Sequence, residues 1–117
     1  TIDLTGSMAP YAWGFNGKRG TEIEPMRVKH GERVIWTLRN RTDMAHPIHL
    51  HGHHFQIVRI DDQRLRGAMR DTILVPVGGE VDIAFDADNP GRWAFHCHHL
   101  YHMVTGMMTT VEYEKYA

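Results

Sequence analysis

Apolar residues in this chain recur on a period of two, and that alternation restricts it to β-structure. In EVDIAFDA (80–87), Val81, Ile83 and Phe85 alternate with Asp82, Ala84 and Asp86. RVIWTLRN (33–40) puts Val34, Trp36 and Leu38 on one face, with Arg33, Thr37 and Arg39 among the others. Successive strand side chains point to opposite faces, so such segments offer an apolar face to a core and a polar face to water. HFQIVRI (54–60), DTILVP (71–76), GRWAFHCH (91–98) and MTTVEYE (108–114) read as further strands. Turn signals at Asn16-Gly17, His30-Gly31, Asp61-Asp62, Gly78-Gly79 and Asn89-Pro90-Gly91 punctuate them. No stretch holds a helical period for three turns, and HLYHMV (99–104) supports one short turn at most. Seven or eight short strands with frequent turns predict an all-β sandwich, with Trp13, Trp36 and Trp93 in its core. The first twenty residues are expected to form one strand and then a loop lying over the sheet.

The 117 residues suit one domain spanning 1–117, large enough for a core without disulfides. A first residue that is Thr1 suggests either a processed chain or an excised piece of a longer one, and no signal peptide is read in it. Thirteen basic residues against 14 acidic give a net charge of −1, with no basic stripe for nucleic acid and no charged tail for a membrane surface. No apolar run approaches a bilayer span. With one cysteine no intrachain bridge can form, so Cys97 is free, metal-bound or joined to another chain. The compositional outlier is histidine: of ten, all but His30 fall in two clusters, at 46–54 and 96–102.

The second cluster, HCHHLYHMVTGMM (96–108), adds the only cysteine and three methionines. Histidine buries poorly and a bare thiol oxidises, so a packed core has no use for this set. Thiolate, imidazole and thioether together form the ligand set of a copper electron-transfer site. Strand parity puts Trp93, Phe95 and Cys97 on one face and His96 and His98 on the other. His102 and Met107 follow Cys97 in a C-x4-H-x4-M spacing that a loop can fold onto one ion. One more histidine would complete a His2Cys site with a weak axial Met. HPIHLHGHHF (46–55) supplies it, because in an extended segment His46 faces one way and His49 and His51 the other. Each cluster is then two-faced: His46 and Cys97 serve one metal site, and His49, His51, His96 and His98 another. Four neutral imidazoles without carboxylates suit copper better than calcium or magnesium, with a vestigial or zinc-binding surface as the competing reading.

HPIHLHGHHF followed by HCHHLYHMVTGMM resembles the two copper-binding motifs of the C-terminal domain of multicopper oxidases. GSMAPYAWGFNGK (6–18) is similar to the opening of that domain in bacterial copper-resistance oxidases. The resemblance implies a single cupredoxin-like Greek-key β-sandwich. It also implies a type 1 copper on His46, Cys97 and His102 with Met107 axial. His49, His51, His96 and His98 would be half of a trinuclear type 2/type 3 cluster. Electrons from a reductant (a phenol, Cu(I) or a redox protein) would pass from Cys97 to His96 or His98 and on to dioxygen. Family members carry two or three such domains, so a homo-oligomer such as a trimer, or a partner cupredoxin domain, would complete the cluster. A periplasmic or extracellular location goes with the family. The rival reading is a stand-alone electron carrier or copper-binding module without oxidase activity. His53 is expected to hydrogen-bond behind the ligands. Met103 and Met108 are expected in the core or beside the copper, Arg70 and Asp71 in a surface ion pair, with the orienting of a ligand as the alternative, and His30, His54 and His99 exposed or satisfied locally.

Overall fold

A computed structural model describes residues 1–8, 11–19, 22–97 and 106–114. Among them the chain forms β1 (Ile2–Met8), β2 (Tyr11–Phe15), β3 (Met26–Val28), β4 (Arg33–Asn40), β5 (His46–Leu50) and β6 (Phe55–Ile60). Then follow β7 (Gln63–Arg64), β8 (Met69–Arg70), β9 (Thr72–Val75), β10 (Glu80–Asp86), β11 (Arg92–Cys97) and β12 (Met108–Tyr113). There is no α-helix among the described residues. All six segments singled out by alternation are strands, as β4, β6 and β9 to β12.

The strands make two sheets. One runs β2-β1-β4-β10-β6-β7, with β8 also on β6; the other runs β3-β12-β11-β5-β9. The pairings are antiparallel except β1 with β4 and β3 with β12. The apolar faces meet in one core. Leu4, Trp13, Phe15, Leu38, Phe55, Ile83 and Phe85 line it from the first sheet, and Ile48, Leu50, Val75, Phe95 and Val111 from the second. Phe95 bridges the layers, with ring centroids 5.3 Å from both Phe15 and Trp36. Burying one such aromatic contributes roughly 1.5–3 kcal/mol. Trp13 is fully buried and Trp36 half-buried against this core, whereas Trp93, expected in the core, is half-buried and packs instead beside Gly52 and His53.

The opening segment departs from expectation. Instead of a strand and a covering loop, β1 and β2 pair as an antiparallel hairpin, Leu4 against Phe15 and Gly6 against Trp13. Ile2, Leu4, Trp13 and Phe15 are all buried, so both segments carry a period-two apolar face that the glycines between them obscure. Beyond β2 the chain reverses at Asn16-Gly17, both with positive φ (54° and 79°), between reciprocal Phe15–Lys18 hydrogen bonds of 3.0 Å. That is the two-residue turn whose left-handed backbone Asn-Gly favours.

Candidate metal centre

β11 lies inside the second sheet, between β12 and β5, and its register fixes both faces of the site. Phe95 pairs with Leu50, His96 with His49, and Cys97 with Ile48. Directly opposed residues share a face, so His96 and His49 stand together on the outer face while Cys97 points into the core. His46, an even number of residues before Ile48, also points inward and is wholly buried. Its Nδ1 faces Cys97 Sγ at 3.7 Å. Two ligands at about 2.3 Å (S) and 2.0 Å (N) from one ion, subtending about 110–120°, stand about 3.5–3.7 Å apart. The pair therefore fits a thiolate–imidazole metal site without backbone movement. Trp13 closes one side, its ring edge-on to His46 with centroids 5.0 Å apart.

Met107 is also fully buried, and its carbonyl accepts the Cys97 N–H at 3.0 Å, which sets Met107 beside the cysteine. His102 and His98, expected in the two ligand sets, lie outside the described residues, as do His99 and Met103. Met108 corrects an expectation: it is 40% exposed and pairs with His96, so it faces outward on the histidine face. Adjacent residues of a strand end cannot share a face, so with Met107 buried Met108 has to point away.

On the outer face, His49, His51 and His96 gather with ring centroids 4.5 to 5.5 Å apart. Hydrogen bonds assign their tautomers. His96 Nδ1–H donates to the carbonyl of Cys97 at 2.9 Å, leaving Nε2 as the lone-pair nitrogen, and His51 Nε2–H donates to it at 2.9 Å. His49 Nδ1–H reaches the Asp71 carbonyl at 2.9 Å, with Thr72 Oγ1 at 3.0 Å, which turns its Nε2 outward. Asp71 thus takes the alternative role, orienting His49 through its backbone, with its carboxylate 3.8 Å from the same nitrogen. Among the described residues no three His, Cys, Asp or Glu side chains are arranged to hold an ion as they stand. The His51–His96 hydrogen bond is one reason, since it must open before an ion can take His96 Nε2. Three imidazoles with no carboxylate oxygen among their donors fit copper in kind.

Behind the histidines runs a polar network that only part of the sequence announced. His53, expected to hydrogen-bond there, does so: Nδ1–H donates to the His51 carbonyl at 3.1 Å, and Nε2 accepts from Tyr113 Oη at 2.7 Å. Tyr113 Oη accepts the Asn89 N–H at 3.0 Å, and Asn89 Nδ2 donates to the Gly52 carbonyl at 2.9 Å. Burial holds the Tyr113 phenol above its ordinary range, partly offset by that Asn89 bond. Trp93 Nε1–H donates to the Asn89 carbonyl at 2.8 Å, and its ring lies against Gly52, whose φ is +74°. The turn carrying His51 is thereby pinned to β11 and β12. His54 is exposed, and so is His30, whose ring lies 6.3 Å from Tyr113.

A second network lies behind His46. Its Nε2 meets Thr42 Oγ1 at 2.7 Å, and Thr42 in turn bonds Asn40. Neither residue was singled out from the sequence. The available signal was a polar pair, Asn40-x-Thr42, at and just past the end of β4, with Thr42 four residues before His46.

A family model described as multicopper oxidase matches residues 1–116. The chain is 42% identical over 112 residues to multicopper oxidase MmcO of Mycobacterium tuberculosis, covering 96% of this chain and 22% of that protein. It is 44% identical over 115 residues to copper resistance protein A of Escherichia coli, covering 97% and 18%. The crystal structure of a blue copper oxidase from Nitrosomonas europaea matches with a TM-score of 0.82 at 36% identity, over 87% of this chain and 34% of that one. The chain thus spans about a fifth of the length of these two sequence relatives.

Proposed function

This chain belongs to the multicopper oxidase family, and from that premise we propose that it carries an oxidase's electron-accepting copper site on one face of β11 and half of its dioxygen-reducing cluster on the other. The fold is the family's cupredoxin domain, and copper is the family's cofactor. In this reading His46, Cys97, His102 and Met107 hold the type 1 copper. His49, His51, His96 and His98 hold the half-cluster.

The observation that carries the reading is Cys97 Sγ facing His46 Nδ1 at 3.7 Å inside the core. Copper bound there supplies one-electron exchange with a reductant, and bound at the outer face it supplies the reduction of dioxygen. The chain's own contribution is placement. Cys97 and His96 are consecutive, with side chains on opposite faces, so one peptide unit joins the two sites. The His96 Nδ1–H···O=C bond to Cys97 adds a second, shorter link between them. Complete burial of Cys97, His46 and Met107 keeps bulk water from the inner ligands and limits the solvent rearrangement that accompanies a change of charge.

The reductant in this reading is a small phenol, Cu(I) or a redox protein, and the location is periplasmic or extracellular. Similarity to a copper resistance protein supports Cu(I) among these. The missing half of the cluster comes from a second copy, as in a trimer, or from another cupredoxin domain.

The test is oxygen uptake by copper-loaded protein supplied with a phenol or Cu(I), on fractions separated by size. Uptake is expected only in fractions that hold more than one such domain. Cys97→Ser abolishes both the blue colour and uptake, whereas His96→Ala abolishes uptake and leaves the colour. Undiminished uptake in Cys97→Ser, or full turnover by a verified monomer of this chain, overturns the proposal.

A further inference from the structure

An imidazole offers one lone pair, so His46 can serve a metal through Nδ1 only if its proton sits on Nε2. The groups around Thr42 decide which nitrogen carries it. Asn40 is buried, and its Nδ2 lies 2.7 Å from the Met44 carbonyl and 3.0 Å from the Val75 carbonyl. Both amide protons are thus spent on carbonyls, so the atom facing Thr42 is Oδ1, an acceptor. Asn40 Oδ1 receives the Thr42 N–H at 2.9 Å and lies 2.7 Å from Thr42 Oγ1. The Met44 carbonyl is 2.9 Å from the same hydroxyl.

Thr42 Oγ1 therefore has two oxygen acceptors within hydrogen-bond distance and a single proton to give. If that proton went to His46 Nε2, both oxygens would face Oγ1 at 2.7 and 2.9 Å with no hydrogen between them. Such an arrangement, in a residue only 5% exposed, leaves buried acceptors in repulsive contact. The proton goes instead to one of the two oxygens. A lone pair of Oγ1 is then left facing His46 Nε2 at 2.7 Å.

We infer that Thr42 is a positioning residue that locks His46 as the Nε2–H tautomer and so presents the Nδ1 lone pair to the metal beside Cys97. This rests on the copper reading of His46 and Cys97. The hydrogen bond also fixes the rotation of the ring, because Nε2–H and the Nδ1 lone pair lie across the ring from each other. It ties the ligand to the end of β4 through Asn40, and to β9 through the Val75 carbonyl.

The experiment has two arms. On metal-free protein, ring 15N shifts of His46 are expected to show a protonated Nε2 and a bare Nδ1, in wild type and in Thr42→Ser. In Thr42→Val, which keeps the shape and removes the hydroxyl, the two tautomers mix. On copper-loaded protein, chelator competition gives about 10- to 100-fold weaker type 1 binding for Thr42→Val, with Thr42→Ser close to wild type. The thiolate-to-copper band and the reduction potential shift in Thr42→Val and return in Thr42→Ser. A protonated Nδ1 in the wild type overturns the inference whether or not any variant folds. So does a Thr42→Val protein with unchanged affinity, band and potential. Failure of the copper reading looks different: the wild type shows no thiolate-to-copper band at all, while the tautomer is as assigned.

Discussion

Replacing Gly52 with alanine tests whether the His51 turn is held against Trp93 as described. Gly52 has a φ of +74°, where a Cβ costs about 1–2 kcal/mol. An added Cβ would also stand 2.6 Å from Trp93 Cε3 and 2.7 Å from Cε2, well inside contact distance. Relief requires the indole to move, which strains its 2.8 Å bond to the Asn89 carbonyl; overpacking of this kind costs about 1–3 kcal/mol. The total is about 2–5 kcal/mol, or about 8–20 °C in melting temperature for a chain of this length. Gly78 supplies the control: its φ is +71°, but nothing lies within 4 Å of an added Cβ, so Gly78→Ala should cost only about 1–2 kcal/mol. Urea denaturation of both variants, and of Gly52→Ala in a Trp93→Leu background, measures the steric part as a coupling energy. If Gly52→Ala is no worse than Gly78→Ala, or if its cost simply adds to that of Trp93→Leu, the packing argument is refuted.

Tyr113→Phe removes the hydroxyl that serves both His53 Nε2 and the Asn89 N–H, and should destabilise the protein by about 1–3 kcal/mol, read as a lower urea midpoint. The Arg59 guanidinium holds the Asp82 carboxyl below its ordinary range, with burial opposing and Thr37 Oγ1 assisting. A folded pKa below the unfolded one stabilises the native state above pH ~4 and is lost as pH falls through the folded value. Wild type should therefore exceed Asp82→Asn in stability near neutrality, and the gap should close in urea titrations carried below that range. Copper binds the native form preferentially, so at a free concentration 100 times its dissociation constant it adds about 2.7 kcal/mol. Calorimetry should show that gain in the wild type and a much smaller one in Cys97→Ser.

What was legible in the sequence follows from which physical signals are local. Strand parity is local, and it correctly put Cys97 inside with Phe95 and His96 outside, and separated His46 from His49. It also implied that Met107 and Met108 face opposite ways, a consequence that a reading based on residue type alone missed. The β1–β2 hairpin was hidden because Gly6, Pro10 and Gly14 dilute the alternation that Ile2, Leu4, Trp13 and Phe15 complete only once paired. The partners of the ligands were the least legible. Asp71 acts through a backbone carbonyl, which no side-chain pattern reveals. Thr42 and Asn40 gain their meaning from the Met44 and Val75 carbonyls, and the latter is brought near only by the β5–β9 pairing of His46 with Val75. Tyr113 is 60 residues from His53, so their bond exists only in the folded chain.

The central claim is that Cys97 and His46 hold one copper ion in the core, and the visible absorption of Cu(II)-loaded protein tests it most directly. Thiolate-to-Cu(II) charge transfer should give the wild type an intense blue band that grows to saturation at one equivalent of inner-site copper. Cys97→Ser should lose the band while its far-ultraviolet circular dichroism stays that of a β-sandwich. A copper-loaded wild type without that band, or a Cys97→Ser protein that keeps it, would contradict the account.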